Sequence, residues 1–302
     1  MASYTMFGFA QTKQPITIVW AFGVAQSTAN MVRAIIEQAN KDQDKYVFVF
    51  DNKPGAGGSI ASRYVERTPN TILATAAPFF IHPLLYGVES SHDITKFQPI
   101  LIEATNVPLV VVSKKYKTFE ELKKEPRLTI GISTGSPFEV AALELKTKLP
   151  NTQLDLIGYP NSMNATKDAI GGVVDLSVDF PSLLKQHVEV GNINVIGMTG
   201  TIDHPYFKTF SAQGVKGFEN LTSYTLMLVP KGTYSKEQTE ELHSILRKAQ
   251  KNQVSDNLYA ADYGKNPDYD LKQTQDYFNK TSQFWESIIK ARGLYLSQSQ
   301  KK

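Results

Sequence analysis

Gly131-Ile132-Ser133-Thr134-Gly135 is the stretch of this chain best placed to do covalent chemistry. It matches G-x-S-x-G, the pattern in which a serine on a sharp strand-to-helix turn attacks a carbonyl. Asp175 or Asp179, then His187 or His204, follow in the chain order of a hydrolase triad. The helix after such an elbow begins at the nucleophile, however. Here Ser136-Pro137-Phe138-Glu139 sets the start several residues later, with a capping serine, a proline at the first helical position and a glutamate at the third. No His-Gly-Gly-Gly oxyanion segment precedes it. A serine hydrolase acting through Ser133 is the rival reading rather than the leading one.

The second chemical candidate is the glycine-rich run Asp51 to Ile60. A Rossmann fingerprint needs glycine where Ile60 stands, and a phosphate loop needs a lysine that Gly58-Ser59 lacks. The run reads instead as a tight turn with close helix-to-strand packing. The five histidines are dispersed and form no ligand spacing, so no metal or other cofactor is expected. What remains is binding at helix starts. Ser27 or Thr28 caps one helix and Ser136 caps another, and each N-terminus offers free amides and about half a positive charge. The two turns are readable either as opposing jaws around a carboxylate or as ordinary helices satisfied by their own side chains.

Positioning those turns requires a scaffold. Alternation and β-branching predict strands at 16–19, 46–50, 71–76, 97–103, 108–112, 128–132, 173–178, 193–198 and 224–229. Helical spacing predicts helices at 29–39, 117–126, 137–148, 163–170, 235–252 and 271–292. Strands alternating with helices imply a mainly parallel α/β sheet that works at the carboxyl ends of its strands. On the last helix Phe278, Thr281, Trp285, Ile288 and Ile289 share one face, which makes Trp285 core. With 302 residues, 41% hydrophobic and 20% charged, the chain can bury a large core as one or two domains. A net charge of +3 without a basic stripe argues against nucleic acid. There is no cysteine for disulfides, and no apolar run reaches membrane-spanning length. Residues 1–14 read as an appended start or the stub of a trimmed leader, since small residues at Gly8 and Ala10 lack a preceding cationic and apolar region.

Asn52-Lys53-Pro54-Gly55-Ala56-Gly57-Gly58-Ser59-Ile60 resembles the N-[RK]-P-G-A-G-G-x-I hallmark of the Bug or TctC family, solute receptors of tripartite tricarboxylate transporters. The family's V-P-F-x-x-G-G-x-x-D-x-x-A-R pattern is echoed in Val19 to Arg33. Pro83-Leu84-Leu85-Tyr86, Gly171 to Leu176 and Val229 to Thr233 follow in family order. The resemblance implies a two-lobed periplasmic-binding-protein fold, type II-like, hinged on two crossing segments. Lobe one would comprise residues 15–105 and 225–302, and lobe two residues 106–224. It also implies an exported, periplasmic and monomeric receptor, no enzyme, which captures a small carboxylate and hands it to membrane subunits.

Carried over residue by residue, the resemblance places the ligand between Phe22, Val24, Ala25, Gln26, Ser27 and Thr28 on one lobe and Ser133, Thr134, Gly135 and Ser136 on the other, partly through ordered waters. Ala77, Pro78 and Phe79 would lie near the same cleft, with Tyr159 and Asp179 on the second lobe. Phe79 is equally readable as core. The family's Gly-Gly falls on Ala25-Gln26, its second proline on Ala21 and its aspartate on Ala29. These departures imply an altered ligand pose, with Gln26 adding a side chain that both donates and accepts. The identity of the ligand is left open.

Overall fold

The computed structural model describes residues 13–24, 27–291 and 293. Two five-stranded sheets organise the chain. The first takes β1 (Gln14–Trp20), β2 (Tyr46–Asn52), β3 (Thr71–Ala76) and β4 (Phe97–Val107). The second takes β5 (Val110–Ser113), β6 (Arg127–Ser133), β7 (Gln153–Tyr159), β8 (Leu176–Asp179) and β9 (Asn194–Met198). A tenth strand, β10 (Ser223–Pro230), returns to the first sheet. The spatial orders are β2-β1-β3-β10-β4 and β7-β6-β8-β5-β9, one plan used twice. In each sheet the other directly paired strands run parallel, and a single strand, β10 or β5, lies antiparallel to both neighbours.

The helices are α1 (Ser27–Asp42), α2 (Ser59–Arg67), α3 (Pro78–Tyr86), α4 (Phe119–Leu122), α5 (Pro137–Lys148), α6 (Ser162–Gly171), α7 (Pro181–Glu189), α8 (Lys236–Ala249), α9 (Gln253–Ala261) and α10 (Leu271–Ala291). In α1 the residues Met31, Val32, Ile35 and Ala39 recur at helical spacing and are buried against the first sheet. Phe278, Thr281, Trp285 and Ile289 do the same for α10, and the Trp285 indole donates to the Tyr224 hydroxyl at 2.7 Å. Each such large apolar side chain contributes about 2 kcal/mol by leaving water.

The structure departs from the sequence expectations where local pattern was weak. The helix expected over 235–252 stops at Ala249, and Asn252 starts α9 by accepting from the Ser255 amide at 2.9 Å. Asparagine competes for nearby backbone and so favours a cap over a helix interior. Neither α3 nor α7 was anticipated, nor was β7. The α3 sequence PFFIHPLLY buries Phe79, Phe80, Ile81 and Leu85 and shows no polar stripe by which an amphipathic period could be read. The fourth strand runs on to Val107, beyond the expected 103. From there Pro108 and Leu109 link the first sheet to β5 in the second, and the chain returns through Thr222 into β10. A third stretch lies beside this crossing, where the Thr105 and Lys265 amides exchange hydrogen bonds of 2.9 Å. None of the helices among the described residues is long and apolar enough to cross a membrane.

Candidate functional site

Parallel strands deliver their carboxyl ends to one edge of a sheet, and the two edges face each other here. Trp20 ends β1, Ala76 ends β3 and Ser133 ends β6, and all three line one cavity of about 170 Å³. Thr28 and Ser136 line it too; Ser136 caps α5 as expected, whereas Ser27 and Thr28 are the first two residues of α1 rather than its cap, because the helix begins earlier than the local signal placed it.

The first-lobe wall is set by the glycine run. Gly55, Ala56, Gly57 and Gly58 all have positive φ, a conformation that glycine adopts without a steric penalty. A Cβ on Gly57 would collide with the His82 ring, so this backbone approaches α3 only because it lacks one. Just before it, the Asn52 amide donates to the carbonyls of Trp20, at 3.0 Å, and Phe22, at 2.7 Å. Those two bonds tie the turn after β1 to the turn after β2. The Trp20 indole adds a third tie, to the Gly23 carbonyl at 3.3 Å, and the Trp20 and Phe22 rings meet edge to face.

The second-lobe wall is built by α5 itself. The Ser136 hydroxyl accepts from the Phe138 amide at 3.2 Å and donates to the Ser133 carbonyl. Glu139 reaches back to accept from the Gly135 amide at 2.6 Å. Its carboxyl also accepts from the Tyr86 hydroxyl of the first lobe at 3.2 and 3.3 Å. Burial raises the Glu139 pKa, partly offset by the Gly135 amide and the Tyr86 hydroxyl. Phe138 and Phe180 meet edge to face on this wall.

Further contacts cross between the lobes. The Ser182 amide, in the first turn of α7, donates to Asp262 at 2.8 Å. The His204 ring stacks on Tyr263 with centroids 3.6 Å apart. His82 packs so closely on Gly135 that a Cβ there would clash.

Of the residues singled out in the sequence, Phe22, Thr28, Pro78, Ser133, Thr134 and Ser136 line the cavity. Val24 is exposed and does not, and Gly135 turns toward His82. Ala77 is buried at the start of α3. Phe79 is core, packed on Phe80, His92 and Phe97, because α3 turns that face inward. Tyr159 donates to Asp168 at 2.7 Å, and Asp179 is buried beneath the wall, accepting from Ser162 and Thr166 at 2.8 Å. Ala25, Gln26 and residues 1–12 lie outside the described residues, as does the Ser27 side chain. Ala29, where the family pattern has aspartate, is buried in the first-lobe core. Trp20, Met31, Tyr224, Leu258, Tyr259 and Asp262 line the cavity without having been anticipated. For Trp20 the signal was its place at the end of a strand, whereas the residues of α9 carried none.

Ser133 does not sit on a nucleophile elbow. β6 ends at Ser133, and α5 begins only at Pro137. The would-be triad acids are engaged elsewhere, Asp175 with Thr129 and Asp179 with Ser162 and Thr166, while His204 stacks on Tyr263. No cluster of metal-ligating side chains occurs among the described residues.

Residues 31–294 match the sequence model of the tripartite tricarboxylate transporter family receptor. A UPF0065 protein in the tcbD-tcbE intergenic region of Pseudomonas sp. (strain P51) is 26% identical over 251 residues, 78% of this chain and 74% of the relative. Among solved structures, the periplasmic binding protein BugD superposes with a TM-score of 0.80 at 22% identity, covering 93% of this chain and 98% of that one. MatC from Rhodopseudomonas palustris, with bound malate, gives a TM-score of 0.78 at 16% identity over 91% and 99% of the two chains. An R. palustris protein with adipate gives 0.79 at 22% identity over 93% and 98%. These structures share the two-lobed fold of this chain. The chain belongs to the tripartite tricarboxylate transporter receptor family.

Proposed function

We propose that this protein captures a small organic carboxylate between its lobes and delivers it to the membrane subunits of a tripartite tricarboxylate-type transporter in the periplasm. The observation that carries this reading is that Thr28 and Ser136, at two helix starts from different sheets, line one cavity. Helix N-termini favour anions through free amides and the aligned backbone dipole. The adipate and malate held by structures of the same fold support a carboxylate as that anion. Lobe one is taken as residues 15–105 with 225–302 and lobe two as 106–224. Closure is a hinge motion at the two crossings, driven by contacts that both jaws make only when shut. The working unit is a monomer.

Thermal melting with a panel of mono-, di- and tricarboxylates tests this. A binding carboxylate at about 100 times its dissociation constant adds roughly 2.7 kcal/mol of stability. A melting temperature unmoved by every acid in the panel defeats the proposal. Chromogenic esters should be left intact, and turnover lost in Ser133→Ala would point to hydrolysis instead.

A further inference from the structure

The described residues lining the cavity include no lysine or arginine, and their one charged member is an acid, Asp262. This residue follows α9, is 6% exposed, and accepts from the Ser182 amide at 2.8 Å. Ser182 is in the first turn of α7, so a first-lobe carboxyl already occupies a second-lobe helix start that could otherwise attract an anion. Asp179 is buried behind the same wall. Burial first, and Asp262 in addition, push the Asp179 acid up to about 6.

The rest of this wall is largely carbon. Trp20, Met31, Leu258 and Tyr259 line it. The Tyr224 hydroxyl accepts from the Trp285 indole, and the hydroxyl oxygens of Tyr259 and Thr225 are fully buried and so closed to the cavity.

We infer that the cavity selects carboxylates with a single negative charge on an apolar body, and that Asp262 disfavours a second carboxylate. The inference rests on the carboxylate-capture reading above. A second carboxylate would leave water for a wall whose described residues include no cation to compensate it, and Asp262 would repel it at low dielectric. An apolar body in the same place exchanges water for carbon contacts.

Calorimetric titration of the full chain with matched pairs tests this: hexanoate against adipate, and benzoate against terephthalate. In each pair the monoacid is expected to bind at least about tenfold more tightly. Asp262→Asn keeps an oxygen for the Ser182 amide and removes the charge, so the ratio should narrow severalfold in a variant that still melts cooperatively. A diacid that binds wild type as tightly as its monoacid overturns the inference and leaves carboxylate capture standing. An unchanged ratio in folded Asp262→Asn overturns the role of Asp262. Absence of binding by all four acids overturns the inference, with the wider carboxylate panel deciding the capture reading, and the comparison within wild type holds even if the variant does not fold.

Discussion

The two helix starts that share the cavity are built in opposite ways. α5 is finished from within: Ser136 caps it, Pro137 occupies its first position, and Glu139 sets a carboxyl on the Gly135 amide. α1 has no acid in its first turn, and the loop before it is held from outside, by Asn52 on the Trp20 and Phe22 carbonyls. The second-lobe turn thus carries its own counter-anion, and among the described residues the first turn of α1 holds no acid. A helix start whose positive pole is already partly matched has less to offer a ligand. On the carboxylate-capture reading proposed above, the start of α1, with no acid in its first turn, would be the stronger anion site and α5 would contribute mainly hydroxyls. The buried acids of the two lobes differ as well. Asp179 in the second lobe accepts from Ser162, Thr166 and the Phe180 amide, whereas neither oxygen of Glu103 in the first lobe has a hydrogen-bond partner among the described residues.

The sharpest way to break the comparison is Thr28→Asp. An acid in the first turn suits a helix, so the fold should survive, but it competes with the ligand for the positive pole. Affinity for any bound carboxylate should fall about 100-fold by calorimetry, or roughly 2.7 kcal/mol. A change under about threefold would shift the anion site away from α1.

Glu103→Gln tests the contrast between the buried acids. Burial pushes Glu103 up to about 8 from an ordinary 4.5. A folded-state pKa above the unfolded one means that the group favours folding below the unfolded value, and that this contribution is lost as pH rises through the folded value. Wild-type stability should therefore decline between about pH 4.5 and 8, and the glutamine variant should gain about 4 kcal/mol at pH 8 against about 1 kcal/mol at pH 5. Parallel melting curves for the two proteins at both pH values would show that Glu103 does not titrate as its burial implies.

Asn52→Ala removes both bonds that hold the Phe22 turn and should cost about 1.5 kcal/mol of stability, with roughly tenfold weaker binding. If binding were unaffected, the external bracing of the first-lobe turn would be structural only. The smallest effect is expected from Tyr86→Phe, which deletes the hydroxyl that reaches Glu139 across the lobes. Burial and the nearby Glu139 carboxyl hold that phenol above its ordinary range, so it remains a proton donor. Its loss should speed ligand release about threefold in stopped-flow measurements, near 0.6 kcal/mol. Unaltered release would place Tyr86 outside the closing contacts.

How much could be read in advance follows from the range of the interactions. Ser136-Pro137-Phe138-Glu139 was legible because a cap, a first-turn proline and a back-reaching glutamate act within one turn of helix. The glycine run was legible as a tight packing turn for the same local reason, and the clash that a Cβ on Gly57 would make with His82 supplies its physical basis. Phe79 and Asp179 were harder. Family likeness placed both near the cleft, but a buried phenylalanine and a cavity phenylalanine look alike in sequence, and Asp179 turns to Ser162 and Thr166 one helix away. Asp262, Leu258 and Tyr259 were invisible, since they reach the cavity only through α9, which was not foreseen as a separate helix.

By itself the amino-acid sequence determined the alternation of strands and helices, the capped start of α5 and the family pattern, because periodicity, capping and glycine freedom are properties of neighbours along the chain. Tertiary structure alone decided which turns share a cavity, which acid stands in its wall and which hydroxyl crosses from lobe to lobe. Those depend on how two sheets are apposed, and that apposition is set by packing among residues far apart in the chain, which no local spacing encodes.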